Sequence, residues 1–274
     1  MRIRNFEKEP VATIPFLNAG RRPRDYRTEL LPIHFADVDG LPETLDGMVV
    51  CADLQGRETF ASSGGRMPRL LGEVIPGQLA ELCENHGHHP KRIGAVLAGD
   101  FYTVPALDRR GGSGDVTEVW RCFADEFAFV VGVAGNHDEF ADSDRSGAPR
   151  FASPLHFLDG QVIRVHGMSI GGVSGIIGNV RRPWRRTEED YSEAFVEVAA
   201  QQPQLIVMHD GPDDPVGRQR GHAPIRQWME QMPKTLIVRG HCHWTRPFVE
   251  YASGHQVLNV DSRVVVLSRA ERRP

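Results

Sequence analysis

Near the end of the chain, in "TLIVRGHCHW", an apolar run meets a glycine and then two histidines that flank a cysteine. In extended chain, side chains alternate between faces, so His241 and His243 share a side and Cys242 takes the other. Four more apolar runs end in comparable residues. "VVCAD" ends at Asp53, with Gln55 two residues on, and "AVLAGD" ends at Asp100. "VVGVAGNHD" ends at Asn136, His137 and Asp138, and "LIVMHD" at His209 and Asp210. Imidazole nitrogen and carboxylate oxygen suit zinc, iron or manganese, and an asparagine carbonyl adds a neutral oxygen ligand. Two divalent ions about 3.5–4 Å apart clamp the attacking and departing oxygens of an in-line displacement at phosphorus. One carboxylate bridging them would hold that separation, and two histidines at one strand end can give one imidazole to each ion.

These residues need elements that deliver them to one place. In open α/β sheets, ligands bind outside the carboxyl ends of the strands. "GMVVCAD", "RIGAVLAGD" and "AFVVGVAGNHD" predict short buried strands. The helices predicted between them are "IPGQLAELCENHG", stopped by Gly87, and "DVTEVWRCFADEF", with Asp115 as N-cap. "QVIRVHGMSIGGVSG" predicts a strand pair. "TEEDYSEAFVEVAAQQ" predicts a helix capped by Thr187, with Tyr191, Phe195 and Val198 on one face. "QLIVMHD" and "TLIVRGHCH" are further strands, and "HQVLNVDSRVVVLSR" alternates like closing antiparallel strands. Residues 1–45, rich in Pro and Arg and weakly periodic, are expected to be an irregular arm with one short strand at most. Trp120 and Trp228 are assigned to helix packing. Short apolar strands alternating with helices indicate an α/β layered domain.

At 274 residues the chain can form one large domain, and its net charge of −4 argues against general nucleic-acid or membrane-surface binding. No apolar stretch approaches membrane-spanning length, and the N-terminus lacks the apolar core of a signal peptide, so the cytoplasm is expected. Cys51, Cys83, Cys122 and Cys242 are scattered, with no CxxC pair, and are expected to be reduced and mostly buried. "NHGHHP" is taken as a solvated helix end. "NVRRPWRR" follows a glycine-rich stretch, and Arg181 and Arg182 are candidates for bidentate phosphate contact. Arg57 and Tyr102, close behind candidate ligands, could orient the same phosphate.

"DLQ", "GD", "GNHD", "MHDG" and "GHCH" stand in order, each after an apolar run. In this the chain resembles the calcineurin-like metallophosphoesterase superfamily, whose motifs are D-x-H, G-D, G-N-H-[DE], a lone H and G-H-x-H. The resemblance covers about residues 47–268. It implies a four-layer α/β/β/α sandwich, two mixed sheets flanked by helices, formed by a single domain over residues 46–274 with the arm packed on it. It further implies two divalent metal ions (Mn, Fe or Zn). Asp100 would bridge them. Asp53, the Gln55 position and His243 would hold the first; Asn136, His209 and His241 the second. His137 would stabilise the transition state or protonate the leaving oxygen, and Asp138 would orient its segment. The family has histidine where Gln55 stands, so the first site is expected to be weaker and to admit magnesium. The implied activity is hydrolysis of a small phosphodiester or phosphomonoester by attack of a metal-bound hydroxide at phosphorus, with no membrane or nucleic-acid polymer as partner. The rival readings are a catalytically weakened member that binds metal or partners, and a phosphoprotein phosphatase. The latter's Asp-Arg pair follows GD closely, whereas here a longer stretch precedes Asp108 and Arg109.

Overall fold

A computed structural model describes residues 1–20, 25–59 and 68–269. The parts of the expected arm and domain at 21–24, 60–67 and 270–274 lie outside the described residues. The fold is mixed α/β. The larger sheet runs in the order Arg2–Phe6, Tyr26–Asp39, Arg263–Arg269, Gly47–Ala52, Ile93–Leu97, Phe129–Gly132, Leu155–Phe157, with Ala12–Ala19 also paired to Tyr26–Asp39. The smaller runs Gln161–Val165, Met168–Val173, Leu205–Met208, Leu236–Arg239, Gln256–Asn259, Phe248–Glu250. The helices are α1 (Leu71–Asn85), α2 (Thr117–Glu126), α3 (Glu188–Ala200) and α4 (Ala223–Gln231).

The alternation of side chains explains why the central strands are apolar throughout. In Gly47–Ala52, Val49 and Cys51 pack with Ile75 and Leu79 of α1 and Trp120 and Phe123 of α2. Met48, Val50 and Ala52 face the other way, onto Leu205, Val207 and Val238 of the smaller sheet. On that sheet's far side, Ile206, Met208 and Ile237 pack against Tyr191 and Phe195 of α3 and Ile225 of α4. Strands covered on both faces carry no polar alternation.

Gly47–Ala52, Ile93–Leu97 and Phe129–Gly132 are mutually parallel, as are Leu205–Met208 and Leu236–Arg239. Each set therefore delivers its carboxyl ends to one edge. Cross-links join the two edges: the backbone N–H of Gly175 donates to the carbonyl of Ala134 at 2.8 Å, and the His209 ring meets the carbonyl of Ala98.

Four expectations need correction. The N-terminal segment is not irregular: Arg2–Phe6, Ala12–Ala19 and Tyr26–Asp39 are all strands of the larger sheet. Pro15 and Pro32 obscure the pattern, yet Pro15 lies on an edge strand. Pro32 stands one residue before Ile33, where pairing to Arg263–Arg269 begins. Asp115 does not occupy the cap position of α2, which falls to Val116; it accepts the Thr117 N–H from one residue further back. Helix α4 was not among the segments predicted as helices, and its Trp228, assigned to helix packing, is 41% exposed. Cys51 and Cys83 are buried, whereas Cys122 and Cys242 are only partly so. Elsewhere Gly87, at φ 79°, follows the end of α1, and the Thr187 hydroxyl accepts from the Asp190 N–H at the start of α3.

Candidate metal centre

Three turns at the strand ends share an unusual backbone. Asp53, Asp100 and His241 have φ of 54°, 60° and 66°, left-handed values that cost a non-glycine residue energy. Each turn is pinned by a neighbour. The Asp53 Oδ2 accepts the His241 N–H at 2.8 Å, and the Asp100 Oδ1 accepts the His137 N–H at 2.9 Å. Asp138, fully enclosed, accepts backbone N–H groups from Asp100, Phe101 and Gly135 at 2.8–2.9 Å. Both of its oxygens are thus spent on locking the Gly-Asp turn to the Asn-His-Asp turn. This commitment fits the orienting role expected of it. The close approach explains Gly135, where a Cβ would lie 2.1 Å from Asp100 Oδ1.

The ligand atoms of Asp100, His209 and His241 all lie within 4.8 Å of one another. The His209 Nδ1 donates to the Ala98 carbonyl at 2.7 Å, which leaves Nε2 as the lone-pair nitrogen. That Nε2 is 3.3 Å from Asp100 Oδ2 yet lacks a hydrogen bond of acceptable geometry, and the buried Asn136 Oδ1 also has no partner. Asp53, Gln55, Asn136, His137 and His243 line a cavity of about 330 Å³ with Asp100 and His241. Gln55 turns its Nε2 toward Asp100 Oδ2 at 3.4 Å. His243 is largely exposed and holds its Nδ1 3.1 Å from Asp261 Oδ1. His137 is half-buried, with Nδ1 3.4 Å from the Ser113 hydroxyl.

The electrostatics of this cluster conflict. Burial and then the Asp261 carboxylate push Asp53 well above the usual carboxylate range. Burial works against charge on Asp100, but His209 outweighs it and holds the carboxyl low. Burial likewise opposes charge on His209, yet the Asp100 carboxylate raises it to about 10. Burial and the nearby His209 press His241 down to about 4. Burial and Asp100 lift Asp138 to about 6. Adjacent carboxylates, a strained backbone and the unpartnered Asn136 oxygen are together what a cation site requires, and a bound cation would displace the proton that Asp100 holds on His209. The residues therefore fit divalent metal.

The other candidates lie elsewhere. Arg57 is buried, and its guanidinium donates to the carbonyls of Pro68 and Thr103, so it braces two loops and is not free for phosphate. Tyr102 packs against Gly114 and is not among the cavity-lining residues. Arg181 and Arg182 are exposed on a loop away from the cavity. Asp210 turns to His222, with Oδ2 2.9 Å from its Nε2. Trp184 donates its indole N–H to the Asp138 carbonyl, and Trp244 is buried. Among the lining residues that escaped sequence reasoning are Phe16, Asn18, Arg110 and Asp261. Asp261 carried the same signal as the others, an apolar run, "VLNVD", ending in a carboxylate. Arg110 had only its place in "DRRGG". It is held at the cavity by Glu29, whose Oε2 lies 3.2 Å from its Nη2 and also accepts from Asn18 at 2.9 Å.

Residues 48–244 match the family described as calcineurin-like phosphoesterase. A solved structure, a protein of unknown function from Aquifex aeolicus, aligns with 80% of this chain and 95% of its own at 16% identity. Its TM-score of 0.34 is too low to support an argument. No curated protein matches.

Proposed function

The chain belongs to the calcineurin-like phosphoesterase family, and from that membership we propose that it is a metal-dependent hydrolase of small phosphodiesters or phosphomonoesters. The observation that carries this reading is the convergence of Asp100, His209 and His241 within 4.8 Å, from three strand ends, with Asp100 and His241 lining a cavity. The packing of helices, sheet, sheet and helices supports the four-layer sandwich that the family implies, with the N-terminal strands Arg2–Phe6, Ala12–Ala19 and Tyr26–Asp39 as part of its larger sheet.

Asp53, Gln55, Asp100 and His243 would hold one divalent ion, and Asp100, Asn136, His209 and His241 the other, with manganese, iron or zinc as the candidates and magnesium admissible at the Gln55 side. The chemistry such ions supply when bound is charge neutralisation at phosphoryl oxygens and acidification of water. The protein's own groups do the rest. Asp100 keeps its Oδ1 on the His137 backbone N–H, so the carboxylate that would serve both ions also holds the backbone from which the imidazole projects. His137 stands at the cavity wall, where it can give a proton to the departing oxygen. Arg110 supplies a guanidinium at the same cavity, partly neutralised by Glu29, and would attract the phosphate in place of Arg57, Arg181 or Arg182. A cavity of about 330 Å³ suits a small molecule rather than a polymer. Among the described residues no helix is long and apolar enough to cross a membrane, and we place the activity in the cytoplasm.

The test is hydrolysis of nitrophenyl mono- and diesters by protein loaded with manganese, before and after chelation. Chelator-sensitive turnover is expected. Asp100→Asn should lower metal content and turnover together, because its carboxylate would serve both ions. Full activity in that variant, or turnover indifferent to chelation, would defeat the reading.

A further inference from the structure

We propose that Asp261 positions His243 and, by adding negative charge beside Gln55, makes that half of the metal centre select hard divalent ions. Resting on the metal-dependent reading above, this assigns a role to a residue beyond the family-matched span of 48–244.

Asp261 lies between the strands Gln256–Asn259 and Arg263–Arg269. It bridges to Ala52, and the following Ser262 N–H donates to the Ala52 carbonyl at 3.1 Å. The backbone thus seats Asp261 beside the strand end that delivers Asp53. It is 7% exposed and lines the cavity with Asp53, Gln55 and His243. Its neighbours hold the same loop in place. Asn259 accepts the Asp261 N–H and donates to the Cys242 carbonyl at 2.8 Å, and Arg263 donates to the Trp244 carbonyl at 2.9 Å. The residues on either side of His243 are therefore tied to the segment that carries Asp261.

The contact itself is between Asp261 Oδ1 and His243 Nδ1, at 3.1 Å. Arg263 Nη2 also approaches that nitrogen, at 3.4 Å. The carboxylate is nearer and can only accept, so it assigns the proton to Nδ1 and leaves the Nε2 lone pair for metal. A carboxylate behind an imidazole also raises its basicity as a ligand.

The charge argument concerns Gln55. A neutral amide stands there, and its donor end faces Asp100. With Asp261, three carboxylates line one cavity: Asp53, Asp100 and Asp261. The side holding Asn136, His209 and His241 has only the shared Asp100. On that side the buried Asn136 Oδ1, which lines the cavity, has no hydrogen-bond partner among the described residues and independently points to a cation there. Carboxylate and amide oxygens suit manganese and magnesium, and imidazoles suit zinc. The two halves should therefore differ in preference, and Asp261 sets the difference.

The experiment uses the full chain, stripped of metal and titrated with Mn²⁺ and with Zn²⁺, followed by calorimetry and by manganese electron paramagnetic resonance. Asp261→Asn, which keeps the volume, and Asp261→Ala should each weaken Mn²⁺ at one of two sites by about 10–100-fold, with a smaller loss for Zn²⁺. The other site should be unchanged. In a His243→Ala background the added loss should shrink, because part of the effect runs through that imidazole. Unchanged Mn²⁺ affinity at both sites, or an equal loss at both, overturns the proposal whatever the activity. Wild-type protein that binds two Mn²⁺ ions but hydrolyses no ester would defeat the phosphoesterase reading and leave the role of Asp261 standing.

Discussion

On the proposed reading, His137 would be central to the chemistry without being a ligand. Its backbone N–H is committed to Asp100, so the side chain can change without removing a metal donor. Its ring nitrogen meets only the Ser113 hydroxyl, at 3.4 Å. His137→Ala should therefore keep its metal while losing about 10²–10⁴-fold in turnover if the imidazole acts as an acid. The loss should be smaller for nitrophenyl esters, whose leaving oxygens need no proton, than for alkyl esters. Metal analysis beside rates on both ester types checks this. An equal loss on both would point to charge stabilisation, and a loss of metal would make His137 a ligand. At this scale the sequence was informative about the centre and poor about its rim. Asp53, Asp100, Asn136 and His241 end buried strands, so strand position alone brings them together. Arg57 was misread because chain proximity to a ligand says nothing about where a long side chain reaches; it finds carbonyls at Pro68 and Thr103. Arg110 was invisible because its partner, Glu29, is far away in sequence.

At the scale of elements, the parallel strands were legible because both faces are buried and every residue is apolar. The N-terminal strands were not: Arg2–Phe6 and Ala12–Ala19 are edge strands, which carry prolines and polar residues freely, and Tyr26–Asp39 is interrupted by Pro32 just before its pairing to Arg263–Arg269 begins. Tyr26–Asp39 nevertheless contains a titrating group that reports on its packing. His34 is 6% exposed, donates from Nδ1 to the Glu7 carbonyl at 3.0 Å and stacks on Phe6 with ring centroids 5.4 Å apart. Burial lowers its pKa, the Glu7 carbonyl pulls the other way, and Arg263 adds to the lowering. The sign follows from linkage. The folded state resists a proton that the unfolded chain takes up near its usual pKa of about 6.5. The stability His34 contributes is thus full above that pH and is lost as pH falls through the lowered folded value. In urea unfolding between about pH 5 and 8, wild type should lose stability toward acid more steeply than His34→Gln. His156 and His255 are lowered by burial too and act alike in both proteins, so the difference isolates His34. A constant difference across the range would mean that His34 titrates normally.

At the scale of the whole molecule, the first forty residues tie the layers together. Ile3 exchanges hydrogen bonds with the buried Gln256 side chain, its N–H donating at 2.8 Å and its carbonyl accepting at 2.9 Å, so the first strand is fastened to the smaller sheet. Tyr26–Asp39 pairs with Arg263–Arg269 through six residue pairs, from Val264–Ile33 to Arg269–Val38, and Phe16, Asn18 and Leu31 form part of the cavity wall. Removing them would leave Arg263–Arg269 as an unpaired apolar edge, the kind that aggregates. It would also take from the Gln256 side chain both of its hydrogen bonds to Ile3, leaving only the one to Glu250 Oε2 at 3.0 Å among the described residues. The family match begins at residue 48, which makes a chain starting at residue 46 look like a sufficient catalytic unit. The packing argues otherwise. Such a chain should be largely insoluble, or if recovered should unfold at much lower urea concentration and bind 1-anilinonaphthalene-8-sulfonate through exposed apolar surface. Solubility, dye binding and unfolding midpoint, measured beside the full chain, decide the matter. A truncated protein that stays soluble and unfolds at the same midpoint would show that the N-terminal strands are an appendage, and that the sheet closes at Arg263–Arg269 without them.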